Sequence, residues 1–307
     1  MSGSGVSGAL RAELRRIVRS ESRRAPQREV LALLAALAER MPHRILGAIY
    51  YGSCRRQTRI EGLVDLHVIV DDAALALGSR DGWLCRLLPP NVYYTETTLD
   101  DGTEVRCKYA VLTRAQFQRA CTRRAFHSYF WARYAQPVSL VGVRDVEREG
   151  LEESLVDAIV TLFTRSLARL PDVDDPEDLW VETLRLCYGA ELRPEGRDRA
   201  RELVRLEAAY HHATAAAMLA ERDAILAHGD PRLARVAWPL RTILGKPLSL
   251  ARLLKALATF DGGLDYAVWK LERHTGRRVE LDDRVRRAPL LYIWPVLLRL
   301  WRDGVFR

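Results

Sequence analysis

Residues 45–70 read ILGAIYYGSCRRQTRIEGLVDLHVIV, and the two ends of this stretch decide the fold. Ile45 to Tyr51 is a continuous apolar run that stops at Gly52-Ser53. Leu63 to Val70 is a second run, broken only by Asp65 and His67. Short apolar runs bounded by glycine read as buried strands. The pattern is therefore strand, Gly-Ser, a polar Arg-rich connection, then a strand with an acid twelve positions after Ser53. That pattern suits phosphate chemistry. Backbone N–H groups and a Ser hydroxyl at a helix opening hold phosphate oxygens. A carboxylate on the next strand can bind Mg²⁺, which neutralises charge during in-line attack. Asp65 is informative because an unpaired carboxylate inside an apolar strand is costly.

Strand residues two apart share a face, so His67 stands beside Asp65. Nucleotidyltransferases of the polymerase-β type mostly carry acid-x-acid on this strand, and here His67 holds the second place. It is a candidate to bind metal or phosphate, or simply to fill space. Asp71 and Asp72 end the strand. At about 3.3 Å per residue Asp71 is roughly 20 Å from Asp65, too far to share a metal.

Two strand-like runs follow, 92–99 (VYYTETTL) and 104–112 (EVRCKYAVL), joined by Asp100-Asp101-Gly102. A three-residue loop with Gly102 left-handed pairs Leu99 with Thr103. Glu96 then faces Arg106 and Tyr94 faces Lys108, which offers a possible second carboxylate beside two cations. A two-residue Asp-Gly turn would instead put Glu96 and Lys108 on opposite faces.

Residues 28–41 have helical periodicity, and from Thr113 the pattern is helical almost to the end. Pro171 to Pro176 separates two helical blocks, and Asp175 to Asp178 gives helix-start chemistry before Leu179. Further breaks are expected at Gly229–Pro231 and at Gly262-Gly263, after a helix over 249–260. The expected fold is α+β: a polymerase-β-type nucleotidyltransferase domain, with a small mixed sheet and helices, followed by a larger, mainly helical domain. The divisions are a flexible N-terminus and helix start at 1–27, the nucleotidyltransferase domain at 28–115, the helical domain at 116–260 and a C-terminal segment at 261–307.

The 307 residues carry a net charge of +8, which suits a polyanionic partner: nucleic acid, nucleotide or anionic lipid. Leu, Ala and Arg dominate, a bias toward helix and toward a GC-rich bacterial source. Five irregularly spaced cysteines point to free thiols in a reducing compartment and complete no zinc site. No run reaches the roughly 20 apolar residues of a membrane span. Residues 289–301 (PLLYIWPVLLRLW) lie between Arg286, Arg287 and Arg302, and contain Tyr292, Trp294 and Trp301. They suit a monotopic anchor on anionic lipid as well as they suit a packed helix.

In order along the chain, YYGS (50–53), VDLHVIVDD (64–72), NVYY (91–94), KYAVLT (108–113), FWARYAQPV (130–138) and LCYGAELRPE (186–195) resemble the mitochondrial translocator assembly and maintenance protein family and its bacterial relatives. These are the soluble-type phosphatidate cytidylyltransferases. The likeness covers residues 45–210, with departures at His67, at Ala132 for Gly and at Glu191 for Asp. It implies CMP transfer from CTP to phosphatidic acid, giving CDP-diacylglycerol for phospholipid (cardiolipin and phosphatidylglycerol) synthesis, with Mg²⁺ as cofactor. It implies catalytic roles for Asp65 and Lys108. Tyr51, Gly52, Ser53, Lys108, Arg133 and Arg193 would bind nucleotide, with Tyr188 and Glu191 nearby in the pattern. Asp65 would hold the metal, with Glu96 or His67 as a second ligand. The place implied is the cytoplasm, peripheral on the inner face of the bacterial membrane through the C-terminal segment, with no nucleic acid as partner. The rival expectations are a nucleotidyltransferase acting on RNA or a small-molecule hydroxyl, and a degenerate, non-catalytic nucleotide-binding protein.

Overall fold

Alternation within the apolar runs sets which side of the sheet does what. The computed structural model describes residues 6–60, 62–191, 196–228, 231–259 and Arg284. In chain order the elements are α1 (Gly8–Ser22), α2 (Arg28–Arg40), β1 (Ile45–Tyr51), a 3₁₀ turn (Ser53–Arg56), β2 (Leu63–Val70), α3 (Ala73–Leu77), α4 (Ser79–Leu87), β3 (Asn91–Thr98), β4 (Glu104–Thr113), α5 (Arg114–Cys121), α6 (Trp131–Tyr134), β5 (Ser139–Val141), α7 (Asp145–Leu167), α8 (Pro176–Gly189), α9 (Arg197–Leu206), α10 (Ala208–Ala220), α11 (Arg222–Ala227) and α12 (Pro231–Thr259). The strands form one mixed sheet in the order β3-β4-β2-β1-β5. β2 and β4 run parallel, and the other neighbours antiparallel. The chain is thus α+β, with a small mixed sheet and many helices.

One sheet face carries Tyr50, Val64, Leu66, Val68 and Tyr109, which pack on Val30, Leu33 and Leu37 of α2. The other face sends Ile49, Ile69 and Leu112 into a larger cluster with Phe117, Trp131, Tyr134, Phe163 and Trp180. The centre of that cluster is α7, which is buried on several sides, as a helix apolar around much of its girth must be. Trp180 is fully buried and its Nε1 donates to Thr214 Oγ1 at 3.2 Å, so the indole keeps a polar partner out of water. One continuous core therefore crosses the expected division at residue 115.

The helix start expected within 1–27 is present as a full helix, and three other local expectations differ. Residues 1–27 hold a complete helix, α1, capped by the Ser7 side chain. Its Leu10, Leu14, Ile17 and Val18 enter the larger cluster, and Arg11 and Arg15 pair with Glu153 and Asp157 of α7. The chain after Thr113 is not purely helical, because β5 extends the sheet at the free edge of β1. Three residues carry too short a pattern to separate from the helices around them. The helix expected over 249–260 is the second half of a longer α12, which runs through Pro239 and Pro247. Gly52-Ser53 opens only the four-residue 3₁₀ turn, not a full helix. Gly229 and Asp230 of the expected loop, and the C-terminal segment 261–307 apart from Arg284, lie outside the described residues. Among the described residues no helix is long and apolar enough to cross a membrane. All five cysteines are free and buried.

Candidate functional site

Sheet register places Tyr51, Asp65, Lys108 and Tyr94 side by side across β1, β2, β4 and β3. Residues paired across strands point to the same face, so the four form a row. It lies on the face that also carries Ile49, Ile69 and Leu112. Lys108 Nζ is 3.1 Å from Asp65 Oδ1, and both side chains are partly exposed, at 39% and 27%. The interior acid is thus paired and wetted, which removes most of the cost of placing it there. The row depends on the hairpin turn. Leu99 N–H donates to Thr103 O at 3.0 Å and Gly102 has a φ of +80°, so the three-residue loop is the one that forms. Glu96 accordingly faces Arg106, and Tyr94 faces Lys108.

Gly52 is required for two reasons. Its φ is +90°, a conformation L side chains rarely adopt, and a Cβ there would meet Asp65 Oδ2 at 3.1 Å. Ser53 follows, exposed, at the start of the short turn. A single 3₁₀ turn aligns fewer N–H groups than a helix and carries less dipole. Two residues on, the buried Arg55 forms ion pairs with Glu21 of α1 and with Glu207 between α9 and α10. Its Nε donates to Ser139 Oγ at 3.0 Å. Arg55 therefore pins the Gly52-Ser53 turn to the helices and to β5.

His67 sits one row deeper and is 1% exposed. Its Nε2 lies 3.1 Å from the Tyr51 hydroxyl and its Nδ1 is hydrogen-bonded to the Tyr134 hydroxyl. Burial, aided by the cations of Arg133 and Lys108, pushes its pKa well below the ordinary imidazole value. A neutral imidazole has one donor and one acceptor, and the two tyrosines use both. No ring nitrogen is left over for a metal. Glu96, the other candidate second ligand, lies two strands and one row from Asp65. It accepts from the Tyr94 hydroxyl at 3.1 Å and lies 3.6 Å from Arg106. Among the described residues no three His, Cys, Asp or Glu side chains gather as a metal cage. Asp65 alone is compatible with Mg²⁺, which binds through one or two carboxylates and takes its other oxygens from phosphates and water.

Arg133 reaches this group through the aromatics. Its Nη1 donates to Tyr129 O at 2.9 Å, and its guanidinium carbon is 5.9 Å from the Tyr51 ring centre and 4.4 Å from that of Tyr129. Tyr188 is buried on α8, and Glu191, 7% exposed, follows the same helix. Arg193 lies outside the described residues. Of the residues expected at the site, Tyr51, Gly52, Asp65, Lys108, His67 and Arg133 come together, with Ser53 beside them and Glu96 at the margin.

Two basic residues next to this group escaped sequence reasoning. The Arg252 guanidinium is 4.4 Å from the Tyr129 ring centre, and its Nε donates to Pro89 O at 3.1 Å. Lys255 Nζ donates to Pro90 O at 2.6 Å and to Asn91 Oδ1 at 2.7 Å, and burial lowers its pKa to about 8. The available signal was compositional: α12 contains Arg232, Arg235, Arg241, Lys246, Arg252 and Lys255 but no Asp or Glu. Its outer face exposes Leu233, Val236, Leu240, Ile243, Leu250 and Leu254. A comparison of the chain with models of known protein families finds no match, and a comparison with curated proteins finds none.

Proposed function

We propose that the chain is a Mg²⁺-dependent nucleotidyltransferase of the polymerase-β type, and more narrowly a phosphatidate cytidylyltransferase. It would transfer CMP from CTP to phosphatidic acid, giving CDP-diacylglycerol and pyrophosphate. The observation that carries this reading is the row itself: a strand Asp paired to a strand Lys, against a glycine whose conformation and clearance only glycine meets. Gly52 and Ser53 would bind the triphosphate, and Lys108 and Arg133 would offset its charge. Asp65 would hold Mg²⁺, whose contribution when bound is to polarise and neutralise the reacting phosphate.

A row with no free imidazole among the described residues favours an acceptor that is already an anion. A hydroxyl acceptor needs a base. His67, the imidazole nearest Asp65 among the described residues, is neutral, sealed and hydrogen-bonded at both nitrogens. A phosphomonoester needs none, because its second pKa is about 6. One of its oxygens forms the bond to the α-phosphorus of CTP. The bond from that phosphorus to the bridging oxygen breaks, and the electron pair leaves with pyrophosphate. A lipid acceptor agrees with the exposed apolar stripe on α12, a helix with cations and no acids, which suits an anionic surface. Association with the inner face of a bacterial membrane belongs to the same proposal. The anchor expected at 289–301 lies outside the described residues.

A second reading has its own support. The Asp65 carboxylate is already paired with Lys108, and no cluster of three potential metal ligands forms among the described residues, as in a nucleotide-binding protein without turnover. Incubating the protein with Mg²⁺ and each NTP, with and without short-chain phosphatidic acid, separates the two. The expected result is pyrophosphate release with CTP and phosphatidate together, stopped by EDTA. Nucleotide binding without release supports the non-catalytic reading. Release with a hydroxyl acceptor instead changes the acceptor class.

A further inference from the structure

Tyr129 carries two guanidinium groups from different parts of the chain. Arg133 comes from α6 and Arg252 from α12, and each guanidinium carbon is 4.4 Å from the ring centre. They are therefore at most twice that distance apart. Neither forms an ion pair among the described residues. Arg133 spends one N–H on Tyr129 O, and Arg252 spends one on Pro89 O. Arg252 Nη1 is buried with no hydrogen-bond partner. A guanidinium has five N–H donors, so both groups hold donors in reserve.

Desolvation opposes the charge on both guanidiniums, and at Arg252 it prevails and lowers the pKa. Two cations on one ring repel each other, and each gains only modestly from the aromatic face. Burying an uncompensated charge is costly. Glu191 acts electrostatically on both, but it brings one negative charge against two positive ones. Lys255, further along α12, is near enough to Arg252 for the two cations to repel.

We propose that Arg133 and Arg252 form an anion subsite for a phosphomonoester group. Resting on the proposed function, this group is the phosphate of the acceptor, which reassigns Arg133 from the nucleotide to the acceptor. A phosphoryl group bound between two guanidiniums has each central carbon about 4 Å from phosphorus, given charge-assisted N–H···O distances near 2.8 Å. The upper bound on their separation, twice 4.4 Å, is compatible with such a bridge. A dianion with three terminal oxygens meets two donor forks better than a carboxylate does, and arginine forks match phosphate geometry. Arg133 stays linked to the Asp65 row through Tyr51, so the subsite lies beside the place where the triphosphate would react.

Calorimetric titration of the full chain with inorganic phosphate, dihexanoyl phosphatidate and CTP tests this. Wild type is expected to bind phosphate weakly and phosphatidate more tightly. Arg252→Gln should weaken both roughly ten- to hundredfold, as for loss of charge-assisted hydrogen bonds, while CTP affinity stays within about threefold. Equal loss for CTP, unchanged phosphatidate binding, or no binding of phosphate and phosphatidate by wild type overturns the subsite. If Arg252-dependent phosphate binding is found without any nucleotidyl transfer, the proposed function falls and the subsite stands. If transfer occurs and Arg252→Gln leaves the KM for phosphatidate unchanged, the reverse holds. Should Arg252→Gln fail to fold, hydrogen–deuterium exchange on wild type replaces it. Phosphate should slow exchange over 127–133 and 249–256, and unchanged exchange there overturns the proposal.

Discussion

Two neighbouring rows on the same strands have opposite fates. Tyr51, Asp65, Lys108 and Tyr94 form a row that meets solvent and carries an ion pair. Ile49, His67, Ala110 and Val92 form the next row, two residues deeper, where His67 is sealed and neutral. Asp65 and His67 belong to one strand and share one face. What separates them is the element above. Tyr134 of α6 covers the deeper row, bonds His67, and meets Phe117 edge-on. Burial is imposed by the covering helix, not by the strand. An acid-x-acid pattern can thus keep its first place as chemistry while its second place becomes core.

The comparison breaks most readily at Asp65. Asp65→Ala should lower transfer by at least roughly a thousandfold, as expected when a metal-binding group at a phosphoryl centre is lost. The fold should persist, because the side chain is partly exposed and its ion-pair partner among the described residues is a partly exposed lysine. Circular dichroism and pyrophosphate release on the same preparation check both halves. Turnover near that of wild type would remove the open row as the site.

The deeper row should respond in the opposite sense. His67→Val should keep activity within a few-fold, yet cost about 2 kcal/mol of stability, because the hydroxyls of Tyr51 and Tyr134 each lose a buried partner. Urea unfolding and steady-state kinetics measure the two separately. A loss of activity of a hundredfold or more, with stability intact, would show that His67 takes part in the chemistry and that the two rows are one site.

The difference between the rows also marks how far the sequence could be read. ILGAIYY and LVDLHVIV were legible as strands because continuous apolar runs beside a glycine have few other uses. The pairing of Tyr94 with Lys108 was legible once the turn at Asp100-Asp101-Gly102 was given three residues, but the parallel register that sets Lys108 beside Asp65 was not. The partners of His67 were not legible. Tyr134 lies 67 positions away, and only packing of α6 on the sheet brings it there. Arg252 was hidden for the same reason, since a helical arginine looks like a surface cation until its helix is docked. The helix start within 1–27 was legible, but its partner was not, since α7 lies more than a hundred residues later.

Acid sensitivity gives the finest probe of the sealed row. In the fold, burial, with the cations of Arg133 and Lys108 adding to it, depresses the pKa of His67. Burial likewise takes His127, beside Arg252 and Arg241, down to about 4, and brings His211 to about 4. In the unfolded chain such groups titrate near about 6.5. Below that pH the unfolded state binds protons that the native state refuses. The stability these imidazoles give is therefore complete above pH 6.5 and is lost as pH falls toward the depressed values. Each fully refused proton steepens the loss by about 1.4 kcal/mol per pH unit. His67→Val removes one of the three contributions. Its unfolding free energy, measured between about pH 6 and pH 4.5, should fall with pH less steeply than that of wild type, by up to that amount. The carboxylates shared by both proteins cancel in the difference. Parallel slopes would mean that His67 accepts its proton without penalty. Solvent or a counter-charge would then reach the deeper row, and the contrast between the two rows would fail at its base.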